Sequence, residues 1–241
     1  MYTEKFYKTQ QDSSLRSAES VLPIVFSKYG TPDSMIDIGS GSGPWSKVAL
    51  ELGVSKVSCI EGDWIKDLPT FISKSHFRYF DLEKPLDIKE KYELLICLEV
   101  AEHISKARAK TFIQDLCKLS DLILFSAAIP GQSGTNHINE KWLSDWASDF
   151  SKFNYGVIDD IRAVIWNIPE IDDWYKQNIV IFKKNTNNLS TVNNVLDFVH
   201  PNIYKTRNIN LLTNRKIFTF LIHKKYPKLF SLIKKFAIKN K

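Results

Sequence analysis

The sequence predicts a doubly wound α/β fold with a mostly parallel sheet, on three observations. Short apolar runs alternate with helical patterns through the first 184 residues, the mark of repeated strand–helix–strand units with right-handed crossovers. The run YELLICLEV, Tyr92 to Val100, is apolar nearly throughout, as a strand covered on both faces must be. A glycine-rich turn, Gly39 to Gly43, follows the first apolar run and leads straight into a helical pattern.

The elements follow in order. Ser13 to Lys28 reads as a helix whose apolar positions are Leu15, Val21, Leu22, Ile24, Val25 and Phe26, and YGTPD ends it. SMIDI is a short buried strand, and the helix PWSKVALEL opens on Pro44, which suits a first turn. KVSCIEGD is the second strand, IKDLPTFISK a helical connection, FRYFDL the third strand and YELLICLEV the fourth. SKARAKTFIQDLCKL forms a helix, DLILFSAAIP a fifth strand, NEKWLSDWASDF a helix and QNIVIFKK the last strand. The polar run KKNTNNLSTVNN, Lys183 to Asn194, reads as a linker. The expected organisation is therefore one domain over residues 1–184, then a linker and a basic helical tail over 185–241.

Composition narrows the class. With 241 residues and 44% hydrophobic content, the chain suits one sizeable α/β domain with a short appendage. No run reaches the roughly 18 apolar residues of a membrane span, and the polar N-terminus MYTEKFYKTQQDSS is unlike a secretory signal, so a cytoplasmic location is expected. Cys59, Cys97 and Cys117 lack any CxxC or Cys/His pattern and are expected to be reduced thiols. Charge is uneven. Between Pro201 and Lys241 there are eleven Lys or Arg and no Asp or Glu, which leaves 22 basic and 27 acidic residues in the first 200. Leu229, Leu232, Ile233 and Phe236 share a helical face in that tail, with Lys228, Lys234, Lys235 and Lys239 around it. Such a helix over residues 205–241 suits an anionic membrane surface, or equally a contact with the domain or within a homodimer.

In a doubly wound sheet, ligands bind at the carboxyl ends of the strands. Gly39 to Gly43, Glu61, Asp81, Glu99 and Ser126 fall at such ends. A dinucleotide fingerprint would need glycine or alanine where Pro44 stands, and bulky Trp45 follows, so a pyrophosphate clamp fits poorly. No Gly-Lys-Ser/Thr follows the turn, so it is not a P-loop either. DIGSGSGPWS instead resembles the first motif of class I S-adenosylmethionine-dependent methyltransferases. CIEGD resembles their second motif, FDLEKPL the adenine-contacting segment and LICLEVAEHI the motif after strand four. The resemblance runs from about Ile24 to Lys184 and implies a Rossmann-like, seven-stranded sheet with an antiparallel last strand. It implies S-adenosylmethionine as cofactor, with Asp37, Gly39, Ser40, Gly41, Gly43 and Trp45 around its methionine part. Glu61 would hold the ribose hydroxyls, with Gly62 and Asp63 beside it. Asp81 and Leu82 would meet the adenine, and Leu98 and Glu99 would lie next to the cofactor. A diol, an adenine and a sulfonium call for carboxylates rather than a lysine cradle.

Methyl transfer from a sulfonium is an in-line displacement, helped by alignment and by a base near a hydroxyl nucleophile. His137 is the expected base and His103 its assistant, with Glu102 counted beside them, Glu102-His103 opening the next helix. His137, Asn139 and Glu140 also resemble a His-x-Asn-Glu element in bacterial enzymes of surface-polysaccharide and related small-molecule pathways. The strand-five end FSAAIP has no carboxylate, so no metal is expected. LEVAEH is not the Asn/Asp-Pro-Pro-aromatic motif of nucleic-acid base methylation, which disfavours DNA and RNA as substrates. Trp142, Trp146, Trp166 and Trp174 either shape an acceptor pocket or pack in the core. The preferred acceptor is a small carbohydrate-like molecule methylated on a hydroxyl of a sugar, sugar nucleotide or surface-glycan precursor. N-methylation of a similar molecule and a non-catalytic module brought to membrane by the tail are the alternatives.

Overall fold

The computed structural model describes residues 4–132, 134–185 and 197–206. The chain divides into two compact units, residues 1–198 and 199–241. In the first unit α1 (Glu4–Tyr29) precedes β1 (Ser34–Ile38), α2 (Pro44–Glu51), β2 (Lys56–Glu61) and β3 (Phe77–Tyr79). Then come β4 (Leu94–Leu98), α3 (Lys106–Leu119), β5 (Leu122–Ser126) and α4 (Leu143–Ser151). β6 (Tyr155–Ile158), α5 (Arg162–Ile165), α6 (Asp173–Asn178) and β7 (Val180–Lys184) complete it. In the second unit, residues 201–206 are helical. The basic tail beyond residue 206 and the linker residues 186–194 lie outside the described residues. No helix among the described residues is long and apolar enough to cross a membrane.

The sheet order is β3-β2-β1-β4-β5-β7-β6. β1 pairs in parallel with β2 and β4, β2 with β3, and β4 with β5. β7 runs antiparallel to β5 and β6. After β3 the chain returns to the other side of β1, so the carboxyl ends of β1 and β4 frame a switch-point crevice. The expected fold is therefore present: Rossmann-like, seven-stranded, mostly parallel, with the last strand reversed.

Side-chain alternation sorts the core into two layers. Ile36, Ile38, Leu95, Cys97, Ile123, Phe125, Val180 and Phe182 face α3 and α4, in one cluster with Phe112, Leu116, Trp146 and Phe150. Their neighbours Met35, Leu94, Ile96, Leu124 and Ile181 face the other side, in one cluster with Val21, Leu22 and Val25 of α1, Val48 of α2 and Ile165 of α5. All three cysteines are unpaired, with Cys59 and Cys97 buried.

Three expectations need correction. IKDLPTFISK is not a helical connection: only 3-10 turns, Asp63–Ile65 and Lys74–His76, flank it. Pro69 explains this, because it lacks an amide donor and holds the preceding residue extended. The residue pattern alone passed over β6, a four-residue strand at the sheet edge that carries Gly156. Glu102 and His103 do not open α3. They form a separate 3-10 turn, Ala101–His103, and α3 starts beyond Ser105, whose hydroxyl accepts the Arg108 amide.

Candidate active site

The glycine turn leaves β1 under tight constraint. Gly39 donates its amide to the Ile60 carbonyl at 2.8 Å and has φ +73°. A Cβ there would stand 2.4 Å from a Val100 methyl, so only glycine fits. The turn is tied to the next strand by Glu61, which is buried at the end of β2. One Glu61 oxygen accepts the Gly41 amide at 2.7 Å; the other accepts the Gly62 amide at 2.7 Å and the Trp64 indole at 3.0 Å. Burial nevertheless raises the Glu61 pKa above the ordinary carboxylate value. Asp37, also buried, accepts the Ser46 hydroxyl at 2.8 Å. Burial, and then the Glu61 charge, push its pKa up to about 7 against the pull of that hydrogen bond.

The segment after β3 has no regular structure, yet side chains hold it firmly. Arg108 of α3 donates to the Leu82 carbonyl at 3.2 Å and the Lys84 carbonyl at 2.9 Å. It also pairs with buried Asp115 at 2.6 Å, and Asp115 accepts the Leu86 amide. Asp81 is exposed, caps its own turn through the Glu83 amide, and lies 3.6 Å from Lys84.

At the end of β4, Glu99 has φ +54°, a strained setting for a side-chain residue. Its amide donates to the Ser126 hydroxyl and carbonyl, so β5 anchors the bend. Its carboxylate accepts Gln132 Nε2 at 3.0 Å and Asn178 Nδ2 at 3.1 Å. Burial raises the Glu99 pKa to about 7, although those hydrogen bonds oppose it.

The next turn carries a denser group. Glu102 is wholly buried, and its carboxyl group lies against the Ala128 backbone and the Glu99 carboxyl group. Burial and the Glu99 charge hold its pKa well above the ordinary value. The loop after β5 docks on this turn, because the Ile138 and Asn139 amides both donate to the Glu102 carbonyl at 3.0 Å. That docking brings His137 Nε2 to 4.0 Å from Glu102 Oε1 and sets the His137 and His103 rings edge to face, 4.8 Å apart. His137 Nδ1 donates to Glu140 at 3.1 Å, and Glu140 also accepts the Gly131 amide. His103 Nδ1 donates to the Asn136 carbonyl at 3.2 Å. Burial, and then the neighbouring His137, lower the His103 pKa.

These pieces surround a cavity of about 610 Å³ at the carboxyl ends of β1, β2 and β4. Asp37, Gly39, Ser40, Gly41, Trp45, Glu61, Gly62, Asp81, Leu82, Leu98, Glu99 and His103 all line it. Gly43 does not: it heads α2 at φ +84° and packs towards Ile72 and Phe77. Asp63 points to Lys66 at 2.8 Å. Glu102 and His137 stand behind His103, outside the lining. The wall also includes residues that the sequence reading missed. Ser14 and Tyr175 come from distant helices and meet at 3.3 Å. Trp64, three residues beyond Glu61, carried the only local signal, an exposed aromatic after a strand-end acid. The Gln132 and Asn178 amides that hold Glu99 had none, since polar residues in a loop and a short helix look solvated in sequence.

Neither a protein-family model nor a curated protein matches this sequence. Solved structures do. The methyltransferase domain of bacterial CtHen1-C is 16% identical, over 70% of this chain and 98% of its own, with a TM-score of 0.50. Magnesium protoporphyrin IX methyltransferase of Synechocystis PCC 6803, solved with bound SAM, is 18% identical over 77% and 86%, with a TM-score of 0.51. A Nostoc punctiforme PCC 73102 protein provisionally named an O-methyltransferase is 11% identical over 74% and 59%, with a TM-score of 0.53. At these identities the likeness is one of architecture. The chain has the fold of S-adenosylmethionine-dependent methyltransferases.

Proposed function

We propose that this protein transfers a methyl group from S-adenosylmethionine to a hydroxyl of a small acceptor, a sugar, sugar nucleotide or surface-glycan precursor. The carrying observation is the charge of the cavity wall. Five carboxylates line it (Asp37, Glu61, Asp81, Glu83 and Glu99), with no Lys or Arg among the described residues. A nucleotide phosphate would meet repulsion there, whereas a sulfonium with an ammonium group and a ribose diol finds acceptors and opposite charge. The volume lies within the few hundred to roughly 1,000 Å³ of ordinary ligand sites. Glu61 already accepts three N–H donors, so a ribose diol would use its remaining acceptor direction and displace the Trp64 indole.

Displacement breaks the sulfur–methyl bond, leaves a neutral thioether and places the methyl on the acceptor oxygen. The hydroxyl must lose its proton, and we assign this to His103, which lines the cavity, with His137 and Glu102 next to it. A neutral imidazole takes the proton. The basic tail over 205–241 would bring the enzyme to anionic membrane, near lipid-linked glycan precursors.

Calorimetry of the full chain with S-adenosylhomocysteine tests the reading. One molecule per chain should bind, and Glu61→Gln should weaken binding by about tenfold or more, since the diol loses a charged acceptor. Wild-type protein that binds nothing would end the proposal. Mass spectrometry over a panel of sugar nucleotides and glycan precursors then identifies the acceptor.

A further inference from the structure

The acid at the end of β2 is bonded to a side chain that half faces solvent. Trp64 is 50% exposed, lines the cavity, and donates its indole N–H to Glu61 Oε1 at 3.0 Å. That same oxygen accepts the Gly62 amide, while Glu61 Oε2 accepts the Gly41 amide. Each carboxylate oxygen offers about two lone-pair directions. Among the described residues, one direction therefore stays open, on Oε2. A vicinal diol brings two O–H donors, so its second hydroxyl reaches Oε1 only where the indole gives way.

The seat of the indole is built into the turn. Gly62 has φ −67° and ψ 161°, a conformation open to any residue, so the backbone does not call for glycine there. A Cβ at 62 would stand 2.8 Å from Trp64 Cδ1 and 3.1 Å from its Nε1, so the missing side chain is what lets the ring lie over the backbone. The 3-10 turn beneath, Asp63–Ile65, is held in place. Ile65 is wholly buried, and Asp63 pairs with Lys66 at 2.8 Å. Of the three N–H donors to Glu61, two are backbone amides; Trp64 alone reaches it by a side chain that can rotate on a fixed turn. All three oppose the burial that would neutralise Glu61, so the indole also helps to keep the acid charged.

We propose that Trp64 is a gate on the ribose subsite: its indole caps Glu61, swings outward when the two ribose hydroxyls arrive, and returns as the product leaves. This rests on the methyl-transfer reading for the ligand and adds the residue that sets how tightly donor and product are held. S-adenosylmethionine and S-adenosylhomocysteine carry the same ribose, so the indole competes with both. Apparent affinity falls with the fraction of chains whose gate is closed. The gate acts at the ribose and not at the sulfur, so it loosens the hold on spent product while the displacement step is untouched.

Calorimetry of the full chain with S-adenosylhomocysteine compares wild type with Trp64→Phe, which keeps an aromatic ring and loses the N–H. The variant should bind about threefold to thirtyfold more tightly, since the ligand no longer has to break a hydrogen bond to a charged group. Trp64→Leu should change affinity in the same direction, which keeps the test valid if Trp64→Phe unfolds; circular dichroism checks both. Fluorine NMR of protein labelled with 5-fluorotryptophan follows the ring itself. The resonance missing from the variant identifies Trp64, and saturating S-adenosylhomocysteine should move it towards the shift of solvent-exposed fluorotryptophan. Unchanged or weaker binding by the folded variants overturns the gate alone, as does a Trp64 resonance that saturating ligand leaves in place. No binding by wild type or by either variant removes the methyl-transfer reading, and the gate with it.

Discussion

Asp37 shows how burial decides what a single residue does. The sequence places an acid just before the glycine turn, which marks it for the site, but its protonation depends on layers packed over it from α2 and β2. With a folded pKa of about 7 against an ordinary value of 3.8, the folded protein keeps a proton that the unfolded chain releases between these limits. Stability from this group is therefore fully present below about pH 4 and is lost as pH rises through 7. Asp37→Asn keeps an acceptor for the Ser46 hydroxyl and removes the ionisation. Its melting temperature relative to wild type should climb from pH 4 to pH 8, with a free-energy gain of about 4 kcal/mol at most. A constant difference across that range would show that Asp37 ionises normally. Glu61 was legible through the resemblance of CIEGD to a known second motif, and it does line the cavity. The burial of Glu102 was not, since its neighbours in sequence say nothing about the loop that covers it.

Among the elements, the strand-to-helix turn after β1 is the one whose glycines can be ranked. Gly39 has both a positive φ and a wall at Val100, whereas Gly41 has φ +54° and nothing within 4 Å of a Cβ. Gly41→Ala should cost about 1–2 kcal/mol from the left-handed backbone alone. Gly39→Ala adds overpacking of about 1–3 kcal/mol. Urea denaturation of the two variants should separate them by that margin, and equal losses would contradict the close approach of Val100. Strands β1, β2, β4 and β5 were readable because double burial leaves a mostly apolar run, unbroken only in β4. β6 was unreadable for the opposite reason: an edge strand of four residues needs little apolar surface. The false helix over Ile65–Lys74 came from favouring apolar spacing above the backbone restriction of Pro69.

Across the whole molecule, both core layers reach the cavity, Val100 and Ile104 from one and Trp45 and Tyr175 from the other, but one aromatic cluster does not. Phe150 of α4 stacks on Phe182 of β7 with centroids 3.8 Å apart, and Phe125 and Tyr155 close around them. None of these side chains lines the cavity. Phe150→Ala should therefore destabilise the protein by about 3–5 kcal/mol. Affinity for S-adenosylhomocysteine should stay within about twofold when measured well below the melting temperature. A parallel loss of affinity would mean that this aromatic cluster supports the cavity after all.

The sequence by itself determined the sheet-forming runs, the glycine turn and the acids at strand ends, because local patterning and backbone conformation depend on near neighbours in the chain. The tertiary structure alone decided which acids keep a proton, that Ser14 and Tyr175 reach the same wall, and that His137 lies against Glu102. Those outcomes depend on desolvation and on contacts between segments far apart in sequence, neither of which leaves a periodic trace.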